Sequence, residues 1–351
     1  MRSGSAGAIL LALICVSTLP LSPARAAPPT QPRLVSETIM ATRIEVQFAG
    51  DSGTAEDAEA VLAIFRRVDA LASEWKPGSP LALLNAQSGA AVSVPAELTE
   101  LLARSLDLAQ RTDGAFDPTW AALWGLWDFR AEAPAVPAAE EIAARVGRID
   151  WRALELDPDE AMAKLGPNQV AGLGGIAKGW ALDSAAELLH ERSVTDWVLT
   201  AGGQVLADGV NSDGTPWTVG IRDPRGESTD FFALVRASGL SVSTSGDYER
   251  FFEVDGVRYH HILDPRTGLP ARGLRSVTVV SASATTADAL STALMVMGYA
   301  KGSALVGSMD GVDAVWVDEA GGVVISPGLA ARFSLVHAPR NPPRPTPPST
   351  P

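Results

Sequence analysis

From Trp197 to Ile325 the chain reads as one short strand after another, interrupted only by a helix and a second short one, and no other feature restricts the fold as strongly. "DWVLTAGGQVLADG", "WTVGIRDP", "FFALVRAS" and "SVTVVSAS" alternate or run apolar over lengths suited to strands. "EVDGVRY" alternates around Asp255-Gly256, a pair that favours a two-residue hairpin turn. "AVWVDEAGGVVIS" reads as a further hairpin. Strands grouped this way, after a first half dominated by helices, imply an α+β fold rather than a repeating βαβ sheet.

The first half supplies the helices. "AEDAEAVLAIFRRVDALASEW" (55–75), "AELTELLARSLDLAQRTDG" (96–114, with Gly114 as its stop) and "AKGWALDSAAELLHE" (177–191) carry apolar residues at three- and four-residue spacing. "TRIEVQF" (42–48) is a strand. In the second half a helix spans 286–297, with Thr286 as N-cap and Asp288 in its first turn, and a short one lies near 301–308. The expectation is one folded unit, 37–336, its strand-rich second half flanked by helices.

The two ends read differently. "MRSGSAGAILLALICVSTLPLSPARA" has an early cation, an apolar run from Ala8 to Leu19 and Ala24-Arg25-Ala26, the pattern of a signal peptide cut after Ala26. The run is short for a membrane span. Cys15 invites a lipoprotein reading, which the bulky Ile14 before it disfavours. The expected location is therefore the periplasm. Cleavage removes the only cysteine together with Arg2 and Arg25, leaving 26 cations against 41 acids, a formal charge of −15. So acidic a chain is a poor partner for nucleic acid, and anything anionic it binds needs a local device such as a metal ion or a helix N-terminus. Residues 27–36 read as a linker and the proline-rich stretch 337–351 as an extended tail.

Five stretches carry chemistry-bearing residues, and each taken alone also has a structural explanation. "GLGGIAKGW" (172–180) is a glycine-rich entry to a helix whose amides and Lys178 could hold a phosphate, or a tight turn against a sheet. Asp288 and Thr292, four apart, share a helix face, which suits a hard cation such as Mg²⁺ or merely a helix start. "GAFDPTW" (114–120) is an ordered loop centred on Phe116 and Asp117, and "STSGDYERF" (243–251) is a polar loop or a strand connection. In "YHHILDPRTG" (259–268), His260 and His261 alternate across a strand end, so only one can face a given site.

In order along the chain, "ATRIEVQF", "SEWKPGSPLALLN", "GAFDPTWAALWGLW", "GGIAKGWALD", "TAGGQVLADG", "STSGDYERFF", "HHILDPRTGLP" and "TADALSTALMVMG" resemble the ApbE family of FAD:protein FMN transferases, from about Met40 to Ile325. The resemblance implies an exported α+β enzyme that uses FAD and Mg²⁺, attaches FMN by a phosphoester bond to a threonine or serine of an acceptor flavoprotein, and releases AMP. It implies Asp288, Thr292 and the Gly175 carbonyl as Mg²⁺ ligands, and His261 as general base. It places Met40, Trp75, Ala115, Phe116, Asp117, Gly172, Lys178 and Leu263 around FAD. The acceptor it implies is a subunit of a membrane redox complex or an exported FMN-binding domain. Two positions depart from the family: Gly172 stands where an aspartate is usual, so restoring the acid is expected to tighten FAD binding unless another side chain already fills that place, and Ala41 stands where glycine is common. Two other functions fit the same residues: a Mg²⁺-dependent pyrophosphatase splitting FAD to FMN and AMP, and a non-catalytic flavin-binding maturation factor.

Overall fold

The computed structural model describes residues 33–341, and the stretch 1–26 expected to be a signal peptide and residues 342–351 lie outside that span. Eight strands form one sheet in the spatial order Arg33–Ile39, Thr42–Phe48, Trp197–Ala201, Gln204–Asp208, Leu240–Gly246, Leu274–Ser281, Val312–Asp318, Val323–Ile325. Every neighbouring pair is antiparallel, as an α+β chain requires. The first strand takes residues that the sequence suggested were linker. Its start at Arg33 is fixed by pairing with Thr42–Phe48, a long-range gain that local composition does not display.

The helices are α1 (Ala55–Ala72), α2 (Pro80–Ala86), α3 (Ala96–Arg111), α4 (Ala139–Val146), α5 (Ala177–Glu191) and α6 (Ala284–Gly307). α1 begins at a capping box: Asp57 N–H donates to Thr54 Oγ1 at 3.1 Å while Thr54 N–H donates to Asp57 Oδ2 at 2.9 Å. Its apolar stripe, Val61, Leu62, Phe65 and Val68, is wholly buried. α3 stops at Arg111, short of the expected Gly114, because the Thr112 hydroxyl takes over the end, donating to Leu108 O at 2.7 Å and accepting from Phe116 N–H at 3.1 Å. α6 is two helices joined where Gly298 turns to φ 73°. It starts earlier than the sequence suggested. Ser283, not Thr286, is the N-cap and accepts from Thr286 N–H, so Asp288 lies beyond the first turn.

Strand Leu274–Ser281 is buried along its whole length. Val277 and Val279 point into the main core with α6, whereas Val280 joins Val242, Val315 and Val317 in a second cluster with Ile221, Phe232 and Val235. Those last three belong to a three-stranded sheet that covers the far face. The central sheet is thus sandwiched, with α1, α5 and α6 on one side.

The tail is anchored at its start. Asp223, fully buried, accepts from Arg340 N–H at 3.1 Å, and Arg275 donates to Arg340 O at 2.9 Å and to Asn341 Oδ1 at 2.7 Å. Residues 337–341 therefore belong to the folded unit, not to an extended tail, because two buried charges need them as partners.

Between the first two strands, Met40 and Ala41 form a two-residue loop with φ 54° and 55°. A left-handed alanine costs roughly 1–2 kcal/mol relative to glycine. Ala41→Gly is expected to stabilise the protein by about 1 kcal/mol in a denaturant titration, less any entropy that the glycine adds to the unfolded chain. A destabilised variant would show that the loop carries no such strain.

Candidate active site

The glycine-rich stretch feeds α5, and α5 meets α6 head to head. Their backbones approach so closely that a methyl group at Gly179 would overlap the Ala284 carbonyl. Gly179 N–H donates to Asp288 Oδ2 at 3.1 Å. Lys178 Nζ lies 3.3 and 3.4 Å from the two Asp288 oxygens and donates to Gly174 O at 3.0 Å. Asp288 is 6% exposed, so this is a buried carboxylate satisfied by one amide and one ammonium.

One turn along α6, Thr292 joins a cluster of hydroxyls. Ser245 Oγ is 3.3 Å from Thr292 Oγ1 and 2.9 Å from Ser291 Oγ, and Ser291 donates to Asp288 O at 2.9 Å. A methyl built at Gly175 would stand 3.8 Å from Thr292 Oγ1 and 3.4 Å from the Phe116 ring, ordinary contact distances that place Gly175 beside both. A carboxylate, a hydroxyl and a nearby backbone carbonyl are the oxygen donors that a hard divalent cation accepts while it keeps several waters. Among the described residues no group of three or more His, Cys, Asp or Glu side chains gathers, here or elsewhere, so the set rests on a single acid with neutral oxygens. The donor set therefore fits a cation of the Mg²⁺ kind.

The two histidines divide as strand alternation requires. The hairpin Phe251–Val254 and Val257–His260 turns at Asp255 (φ 52°) and Gly256 (φ 75°). His260 faces inward, with Nε2 2.8 Å from Ala271 O, and ties down the returning loop. His261 faces the other way. Its backbone N–H donates to Arg250 O at 3.0 Å, but its ring bonds to no described residue, and Nδ1 is shut off from solvent. The loop beyond is rigid: Gly268 (φ 69°) donates to Asp264 O at 2.7 Å, and Trp127 Nε1 donates to Gly268 O at 2.9 Å. Burial, reinforced by the charges of Arg250, His260 and Lys178, pulls the His261 pKa down to about 3. At neutral pH the ring is neutral, an acceptor with a free lone pair.

An aromatic corner lies beside the glycine-rich entry. Trp75, 64% exposed, meets Trp124 edge-on at 4.1 Å between ring centroids, and Trp120 lies 5.2 Å from Trp124. Trp120 Nε1 donates to Gly172 O at 3.1 Å. A Cβ at Gly172 would come within 2.8 Å of the Ala121 methyl, a backbone-fixed atom that cannot swing away. The expectation that Gly172→Asp tightens FAD binding holds only where no other side chain fills that place, and here the Ala121 methyl fills it. Gly172→Asp is expected to lower stability by about 1–3 kcal/mol without improving FAD affinity, and adding Ala121→Gly should recover most of the loss. Thermal unfolding and a FAD titration of both variants check this.

The Asp117 carboxylate is already committed. Oδ1 accepts from Thr119 N–H and Oγ1, both at 2.7 Å, and Oδ2 accepts from Trp151 N–H at 3.1 Å. It shapes the loop, and burial pushes its pKa up. Ala115 and Phe116 are buried behind it. The structure thus groups Lys178, Gly175, Asp288, Thr292 and Phe116, with His261 within reach of the Lys178 charge. Trp75 and Gly172 meet at the aromatic corner. Met40 sits at the hairpin tip against the main core, and Leu263 packs with Leu123 and Trp127 in a separate cluster. Ser245, Trp120 and Trp124 were not singled out by sequence. The tryptophan run "WAALWGLW" was the available signal for the last two.

A model of the ApbE family matches residues 40–316. The chain is 36% identical to a FAD:protein FMN transferase of Treponema pallidum, with 80% of this chain and 82% of that protein aligned. It is 32% identical to one of Vibrio cholerae, over 84% of this chain and 89% of the other. Among solved structures it is similar to the ApbE protein of Thermotoga maritima (TM-score 0.79, 34% identity, 86% of this chain and 99% of that one). It is also similar to the apo flavinyl transferase ApbE of Pseudomonas stutzeri (TM-score 0.73, 32% identity, 84% and 94%).

Proposed function

Because the chain belongs to the ApbE family, we propose that it transfers FMN from FAD to an acceptor protein, using Mg²⁺ at Asp288, Thr292 and Gly175. What supports the reading is a buried carboxylate paired with Lys178, together with a neutral unpartnered imidazole that feels the Lys178 charge. A bound Mg²⁺ would neutralise pyrophosphate charge and draw electron density from the phosphorus under attack.

The remaining steps fall to side chains of this chain. His261 accepts the proton of a threonine or serine hydroxyl on the acceptor as its oxygen bonds to the FMN phosphorus. The phosphorus–oxygen bond to AMP breaks, and AMP leaves with the electron pair. Lys178, whose three ammonium donors leave one free once Gly174 O and a single Asp288 oxygen are served, steadies the phosphate oxygens. Anionic substrate also strengthens the base: phosphate charge near His261 opposes the cations that depress its pKa, so the imidazole becomes a better proton acceptor once FAD is in place. Trp75, exposed and braced edge-on by Trp124, offers a flat apolar face for a ring system. The leader pattern in residues 1–26 supports an exported enzyme, acting in the periplasm on flavoproteins of membrane redox complexes or on exported FMN-binding domains.

Incubating the mature protein with FAD, MgCl₂ and an acceptor domain, then weighing the acceptor by mass spectrometry, tests the proposal. Gain of one FMN per acceptor is expected, with AMP released in equal amount. Free FMN with an unmodified acceptor would mark a pyrophosphatase, and intact FAD a flavin carrier.

A further inference from the structure

The start of α6 is held from outside by a residue that no chemistry assigned so far uses. Asp183 lies on α5, two turns from its beginning. Its Oδ1 accepts from Ala284 N–H at 2.6 Å, and its Oδ2 from Thr285 N–H at 2.9 Å, Thr285 Oγ1 at 2.6 Å and Ser283 Oγ at 2.9 Å. Ser283 meanwhile caps Thr286 N–H in the ordinary way, so α6 has its own cap and does not need a second one merely to form. A foreign carboxylate taking the first two amides does something a local cap cannot: it fixes where the helix starts relative to α5.

The clasp is reciprocal. α5 reaches α6 through Asp183, and α6 reaches back to α5 through Asp288, which accepts from Gly179 N–H. Gln204 secures the same junction from the sheet, Nε2 donating to Ala284 O at 2.8 Å. Asp288 is part of the second link, and just beyond that link lie Lys178 on one helix and Thr292 on the other, so the spacing of all three depends on the junction.

We infer that Asp183 is a positioning residue for the phosphate-handling site, setting the register of α6 against α5 so that Asp288 and Thr292 present their oxygens together. The inference rests on the proposed metal role of those two residues. Carboxylates that orient ligands from behind typically contribute 10- to 100-fold in metal affinity or activity.

The test compares the mature wild-type protein with Asp183→Ala and Asp183→Asn. MgCl₂ alone is titrated while the unfolding temperature is followed, and hydrogen exchange is measured over residues 284–292. For Asp183→Ala, about 10- to 100-fold more Mg²⁺ is expected for the half-maximal shift, with faster exchange at 284–292 and unchanged exchange in α1. With FAD and acceptor, kcat should fall while KM for FAD changes less than about threefold. Asp183→Asn keeps one acceptor oxygen and should fall between the two, which also covers the case where the alanine variant does not fold. Variants with wild-type Mg²⁺ midpoint, exchange and kcat would overturn the assignment. Asp288→Asn run in parallel separates the two readings: if it leaves the Mg²⁺ response intact, the metal assignment is wrong, and the exchange data alone decide whether Asp183 sets the helix register.

Discussion

Asp288→Ala is expected to lower FMN transfer by about 10³-fold or more at saturating FAD, and MgCl₂ should no longer stimulate the residue of activity. Removing the carboxylate takes away the only acid in the proposed donor set and strands Lys178, whose remaining partner is Gly174 O. Metal stabilisation of a transferring phosphoryl group is worth several kcal/mol, and each 1.4 kcal/mol is a factor of ten in rate, so a loss of three decades is the natural scale. The buried Gly179 amide loses its acceptor, so a stability cost of about 1–3 kcal/mol is expected beside the loss of activity. Transfer at the wild-type rate in this variant, with circular dichroism unchanged, would remove Asp288 from the mechanism.

His261→Ala is the second large effect. Transfer should drop by about 10²- to 10⁴-fold, the usual contribution of a positioned general base, while FAD affinity measured by flavin fluorescence stays within about threefold. The pH dependence distinguishes a base from a structural ring. Because the free-enzyme pKa is pulled down to about 3, the acid limb of kcat/KM should lie well below the ordinary histidine value of 6.5. Arg250→Ala removes the largest single charge acting on the ring and should move that limb upward. Stability follows the same sign. The unfolded chain takes up its proton near 6.5 and the folded chain only near 3, so stability is full above 6.5 and declines as pH falls through that window. His261→Ala should flatten the decline. A variant with the same slope and the same transfer rate would end the general-base role.

What the sequence made legible were the features whose partners lie close along the chain. Asp255-Gly256 specified a hairpin by itself, and strand alternation then separated His260 from His261. The four-residue spacing of Asp288 and Thr292 put both on one helix face whatever lay opposite. The illegible features all depended on distant partners. Asp183 looks like any polar residue on an amphipathic helix until α6 arrives a hundred positions later. Gly172 resembled a missing carboxylate because nothing local reveals that the Ala121 methyl already occupies its place. α4 escaped notice for a different reason: only Ile142 is buried in its eight residues, which leaves no periodicity to detect.

The burial of Asp223 beneath Arg340 has a practical corollary for anyone handling this protein. Deleting the chain from His337 onward would leave one carboxylate in the interior with only its link to Arg225, and would strip Arg275 of two acceptors, so such a clone is expected to express poorly. An affinity handle joined after Asn341 would leave both charges matched, and that junction is the one to choose.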